Sequence, residues 1–289
     1  MAATAIAAAR KAPPPACRFS FATERSRDVA CFASPSLRGF DDVSVARHAR
    51  MARRRSAQHL AGVDGCRAGW LCVIAPAEGQ PLTALVTVSL GVMLRGLPRW
   101  SLIAVDVPIG LADRGARRCD VEARRCLGRG RGSSVFPAPL RCVLSASSYE
   151  EACRRCAAVD GKRMSRQAFG LLAKVRQVDT LMVRRPALQS RVRECHPEVS
   201  FREWAGGPLR HGKKTRAGQA ERAALIDAEW PGERRRLAAL LGRGGFRLDD
   251  LHDAFAALWT ARRIHDGVAR ALPSRPERDG RGLAMEIVV

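Results

Sequence analysis

The chain has 289 residues, 46% of them hydrophobic, which is enough for one large or two ordinary domains with a real core. With 50 basic against 28 acidic residues the formal charge is +22, which favours polyanionic partners; Arg- and Ala-rich composition also arises without selection for nucleic acid. No apolar run approaches the ~20 residues of a membrane span, so the sequence reads as a soluble, cytoplasmic protein.

Residues 1–58 open on MAATAIAAAR, continue through Pro13-Pro14-Pro15 and hold no periodic pattern, so they are expected to be a disordered basic segment ahead of a folded domain at 59–289. A basic tail, an organellar transit peptide and a start at Met51 all fit, although Glu24, Asp28, Asp41 and Asp42 count against the transit peptide. Order is expected from Ala61. The segment 62–65 runs into 70–74 as a strand pair or one bent strand, 82–90 alternates as a strand, and 92–97 suits a short helix. The run 102–107 is apolar throughout, as in a strand buried on both faces, and Pro108 and Gly110 stop it.

Helical spacing follows at 119–127, 148–157 and 166–184, with a Gly, Ser and Pro loop at 128–139. A strand is expected at 190–195, helices at 215–228, 232–241 and about 249–270, and a closing strand at 282–289. Strands first and a late helix predict an α/β mixed sheet with helical insertions. The 10 cysteines suit reduced thiols. Cys153 and Cys156 form a lone CxxC without a second pair to complete a zinc site, so helix packing is the expectation there.

Acidic residues at the ends of apolar segments carry the functional reading. Asp64 follows Gly62-Val63, Asp106 closes Ile103-Ala104-Val105, Glu194 ends the 190–195 strand, and Asp250 and Asp253 open the last helix beside Asp249. A carboxylate at the end of a buried strand is costly unless a cation offsets it. Hard divalent ions such as Mg²⁺ prefer oxygen ligands, and a pair of them can activate water and stabilise a leaving oxygen. Asp250 and Asp253 are three apart and can face one point of a helix. Each acid also has a plainer reading: helix capping for Asp249 and Asp250, a turn for Asp64, a structural salt bridge for Asp106, and an ion pair for Glu194.

The segments GVDGCRAGW (62–70), IAVDVPIGL (103–111), SSVFPAPLR (133–141), ECHPEVSF (194–201), KKT (213–215), DDLHDAFAALWTA (249–261) and GLAMEIVV (282–289) together resemble the DUF429 family. The resemblance implies a ribonuclease-H-like fold and a nuclease activity, that is, a metal-dependent phosphodiester hydrolase using Mg²⁺ or Mn²⁺ on nucleic acid. In the related resolvase-like branch the first strand gives an Asp, the central strand an acid, and the last helix two acids three apart. Asp64, Asp106, Asp250 and Asp253 stand in matching places as catalytic and metal-binding residues, with Glu194 an additional acid of the motif. His196 then orients a phosphate or shuttles a proton, or is a packed structural residue beside Pro197. Lys213 and Lys214, the cluster Lys162, Arg163, Arg166 and Gln167, and Arg67 are candidate substrate contacts or solvated surface charges. Phe136-Pro137 is a candidate flap. A non-catalytic nucleic-acid-binding or interaction module on the same fold is the alternative; a phosphotransferase of the actin and hexokinase kind would need a second sheet set and Gly-rich phosphate loops.

Overall fold

A computed structural model describes residues 58–76, 80–99, 101–242 and 244–289. The expectation for 1–58 therefore lies outside the described residues, Gln58 excepted.

Five strands form the main sheet: β1 (Leu60–Cys66), β2 (Gly69–Ala75), β3 (Thr83–Thr87), β4 (Leu102–Val105) and β5 (Val192–Glu194), in the order β3-β2-β1-β4-β5. β1 pairs antiparallel with β2, and β2 with β3; β1 and β4, then β4 and β5, run parallel. The segment 62–74 is thus a strand pair. The expected α/β mixed sheet is present.

Alternation along β1 and β4 sends side chains to two faces. Ala61, Val63, Ile103 and Val105 pack with α1 (Leu90–Gly96) and α4 (Arg166–Arg184) through Leu90, Met93, Val175, Val178 and Met182. Leu60, Cys66, Leu102 and Ala104 pack on the other face with α8 (Leu248–Asp266). α8 is buried continuously from Leu251 to Ala261 and lies directly on β1. Gly62 makes that approach possible: a Cβ there would overlap the backbone of Ala254 and Leu258.

The remaining helices follow in chain order: α2 (Arg118–Leu127), α3 (Tyr149–Asp160), α5 (Pro197–Trp204), α6 (Arg216–Glu229) and α7 (Glu233–Leu241). Ser148, Ser165 and Thr215 cap α3, α4 and α6 by accepting from the third backbone N–H of each helix. α8 stops at Asp266, short of the expected 270, because Gly267 takes the left-handed conformation that closes its last turn. Cys153 and Cys156 are buried in α3 among Ala152, Met164, Ala168 and Leu172, as helix packing requires. The eight described cysteines carry free thiols.

The closing strand is β7 (Ala284–Val288), paired with β6 (Ala271–Arg278) in a separate two-stranded sheet. β6 was not expected, since Pro273, Pro276 and its charges disguise it. Prolines fit there because the strand pairs on one side only, with a register shift between Leu272 and Glu277.

Candidate active site

The register of β1 and β4 brings the first two acids together. Val63 pairs with Val105, and the Asp106 amide donates to the Val63 carbonyl at 2.9 Å, extending the ladder by one residue. Asp64 and Asp106 therefore sit side by side on neighbouring strands, about 4.8 Å apart along the hydrogen-bonding direction. Both share the parity of Leu102, Ala104 and Cys66, so both belong to the α8 face. On α8, Ala254 and Leu258 touch β1 at Gly62, and Asp253 precedes Ala254 by one residue. This packing delivers Asp253 to the strand end that carries Asp64.

Asp64 and Asp253 are buried and Asp106 is half-buried. Burial is the main cause that raises all three carboxyls above their ordinary range. For Asp64 the neighbours Asp253, Asp106 and Asp250 push further in the same direction. Asp106 is raised to about 6, against the attraction of Lys213. Asp253 is also raised to about 6, with Lys213 opposing and Asp106 adding to the rise. Asp64 thus feels Asp253, Asp106 and Asp250, and Asp253 feels Asp106, through a poorly solvated space.

Lys213 supplies the positive charge that the cluster shares. Its Nζ donates to Asp253 Oδ2 at 2.9 Å, while Asp253 Oδ1 is buried without a hydrogen-bond partner. The lysine belongs to the loop between α5 and α6, which two carbonyls fix at the start of α6. The Gly212 carbonyl accepts from the Thr215 amide and hydroxyl, both at 2.9 Å, and the Lys213 carbonyl accepts from the Gln219 side chain. Gly218 leaves room for the Gly212 carbonyl, which a Cβ would displace.

His196 stands at the N-cap position of α5 without a side-chain capping bond. Its Nε2 lies 3.3 Å from the Ser134 carbonyl, which ties the SSVFP segment to the site, and its Nδ1 is buried without a partner. Burial lowers its proton affinity although Glu198 and Asp253 pull the other way, so the ring is neutral at physiological pH.

Asp250 stands at the rim with a second task. Its Oδ2 accepts from the Arg247 amide at 2.7 Å and so caps α8, while its charge still reaches Asp64. Asp249 pairs with Arg247 at 3.3 Å.

Glu194 departs from the expected set. It pairs in register with Val105 and therefore shares Val105's face, opposite the aspartates. There its two oxygens receive Arg117 at 2.7 and 2.8 Å and the Ile109 amide at 2.6 Å, and Arg117 also binds Asp120 at 2.6 Å. Burial raises Glu194 to about 7 even so. A cleft of about 270 Å³ opens beside it, lined by Arg193, Glu194 and Glu286 among others, but these charges are already paired, Arg193 with Glu286 at 2.6 Å.

The basic candidates divide. Lys213 is in the cluster and Lys214 is exposed on the same loop. Arg67 is exposed at the tip of the β1–β2 hairpin, beside the strand end that bears Asp64. Lys162, Arg163, Arg166 and Gln167 are exposed around the start of α4, which covers the other face; Arg166 stacks on Tyr149 at 4.5 Å. Phe136 is exposed in its loop.

One pair escaped the sequence reading. Glu198, two residues beyond His196, binds buried Arg222 through both oxygens at 2.6 and 2.7 Å and is close enough to raise both Asp106 and Asp253. An acid in the first turn of a helix inside a motif was the available signal.

Among the described residues, no three His, Cys, Asp or Glu side chains stand ready as a ligand group for a metal ion. No described helix is long and apolar enough to cross a membrane. Neither the comparison with curated proteins nor that with solved structures returns a match. One family model, described as a protein of unknown function, does match, over residues 62–278, which spans every residue of the cluster: the chain belongs to the DUF429 family.

Proposed function

We propose that this protein is a divalent-metal-dependent phosphodiester hydrolase acting on nucleic acid, with a ribonuclease-H-like architecture. The observation that carries the reading is the convergence of Asp64, Asp106 and Asp253 at one strand end, where burial is the main cause that raises all three and nearby carboxylates add to it. Perturbed carboxylates gathered from distant parts of a chain are a mark of functional sites. An acid on the first strand, one on a central strand and two on a late helix is also the arrangement that the family resemblance implies.

The donor set suits a hard cation. All the donors are carboxylate oxygens, as Mg²⁺ and Mn²⁺ prefer. Asp253 Oδ1 is buried without a hydrogen-bond partner, since Lys213 bonds only Oδ2. Asp64, Asp106 and Asp253 would hold the ion, with Asp250 in reach at the cost of its cap. When bound, such an ion supplies Lewis acidity toward a phosphate and lowers the pKa of water. The chain's own residues do the rest. Neutral His196 offers its free Nδ1 as a proton acceptor near the carboxylates. Lys213, and Arg67 at the hairpin tip, provide cations for the phosphate backbone.

The second reading is a non-catalytic nucleic-acid-binding or interaction module. Two observations favour it: Lys213 already neutralises Asp253, and Asp250 is spent on capping α8.

A panel of labelled single- and double-stranded DNA, RNA and branched junctions, incubated with Mg²⁺ or Mn²⁺, separates the two. The hydrolase reading expects cleavage of at least one substrate, lost in Asp106→Asn. Absence of cleavage across the panel, or cleavage that Asp106→Asn leaves intact, overturns it in favour of the binding module.

A further inference from the structure

The Lys213–Asp253 pair is asymmetric. The lysine side chain is 37% exposed and the aspartate side chain 5%. The ammonium thus comes to the carboxylate from its more exposed side. It makes one hydrogen bond, to Oδ2, and leaves Oδ1 buried and unpartnered. A point-like ammonium on a flexible stem engages one oxygen, whereas a divalent ion binding several oxygens draws on the rest of the cluster as well. The backbone beneath the lysine is held by Thr215 and Gln219. What can move is the side chain alone.

We propose that Lys213 is an exchangeable resident cation: its ammonium holds the carboxylate cluster until a divalent ion takes Asp253 from it, and the displaced side chain stays tethered at the mouth, where a substrate phosphate enters. The proposal rests on the metal-dependent reading above and deepens it. Before exchange the lysine offsets repulsion among Asp64, Asp106 and Asp253, so the folded chain tolerates the cluster without metal. After exchange the same charge becomes available to a phosphate oxygen. Lys213 is thereby a positioning residue that sets the affinity for the ion.

The test is a Mn²⁺ titration of the full chain at constant pH and ionic strength, following free Mn²⁺ by electron paramagnetic resonance. Lys213→Gln removes the competitor and should bind Mn²⁺ about ten-fold more tightly than the native chain, the order expected for one charge-assisted hydrogen bond. Lys214→Gln makes the same charge change on an exposed neighbour and should shift affinity less than two-fold. Should Lys213→Gln fail to fold, Lys213→Arg answers the question in the opposite sense. Its planar fork can engage both oxygens of Asp253 and should weaken Mn²⁺ about ten-fold.

Equal affinities for the native chain, Lys213→Gln and Lys213→Arg overturn the exchange and leave the metal reading standing. Binding by Lys213→Gln alone reveals a lysine that never leaves, and also overturns it. Absence of binding in all of them overturns both the exchange and the metal reading.

Discussion

Asp253→Asn should make the protein more stable above neutral pH and no more stable near pH 4. The native carboxyl is raised from 3.8 to about 6, first by burial, with Asp106 adding to the rise and Lys213 opposing it. Ionising Asp253 in the fold therefore costs more than ionising it in the unfolded chain. At about 1.36 kcal/mol per tenfold change in proton affinity, the difference approaches about 3 kcal/mol. The attraction of Lys213 is already contained in that figure. Asp253 is coupled to its neighbours, so the protons leave the cluster in shared steps, and relaxation of Lys213 into water reduces the gain; about 2 kcal/mol is the expected net effect.

The sign follows from linkage. Below about pH 4 the group is protonated in both states, and the native fold carries no penalty. Between about 4 and 6 the unfolded chain releases a proton that the folded chain keeps, so native stability falls as pH rises. Above about 6 the full penalty is present, and the neutral amide avoids it. Urea unfolding of both proteins at pH 4, 6 and 8, with the slopes compared to confirm a common mechanism, reads this directly. A stability gain that grows from about zero at pH 4 to about 2 kcal/mol at pH 8 is expected. A variant equal to or less stable than the native chain at pH 8 would refute the reasoning, because the cluster would then contribute stability rather than cost it.

Gly62→Ala should cost at least about 3 kcal/mol or abolish soluble expression, since its Cβ overlaps the backbone of Ala254 and Leu258 and must lift α8 from β1; unfolding midpoints or soluble yield report it. Arg222→Met strands buried Glu198 and should lose about 3–5 kcal/mol in urea unfolding, most of it recovered by adding Glu198→Leu, because the isolated charge rather than the missing pair is the main cost. Glu194→Gln should leave Mn²⁺ affinity within about two-fold of native while Asp106→Asn lowers it at least ten-fold; equal losses would place Glu194 in the cation site despite its position on the opposite face.

The parts of this fold that were legible in the sequence are those where local pattern and tertiary packing agree. The helix at 166–184 has the expected ends because Ser165 caps it and its apolar positions recur at helical spacing against the sheet. β4 announced itself as an apolar run because helices cover both of its faces. β6 stayed hidden because an edge strand with a register shift tolerates Pro273 and Pro276, which argue against a strand anywhere else. Asp64 and Asp106 could be singled out because a carboxylate ending a buried strand conflicts with its surroundings, and such conflicts concentrate at functional sites. Glu194 satisfied the same criterion yet belongs elsewhere. Both faces of the sheet are buried, so hydrophobicity cannot tell which face a residue takes; only the pairing of Glu194 with Val105 decides it.

Lys213 illustrates the other boundary. Its contact with Asp253 spans 40 positions and depends on a loop seated against the start of α6, where Gly218, Thr215 and Gln219 fix its backbone. In sequence it is one of two adjacent lysines in a chain with 50 basic residues, and nothing local separates it from Lys214. The structure separates them by burial, and burial gives the charge its consequence. An exposed lysine contributes little to any one carboxylate, whereas one held against a desolvated cluster acts at low effective dielectric. The same low dielectric makes repulsion among Asp64, Asp106 and Asp253 expensive. A fold that gathers three carboxylates at a poorly hydrated strand end must keep protons on them or set a cation beside them. Lys213 is that cation here, and its charge opposes the rise of Asp64, Asp106 and Asp253 alike.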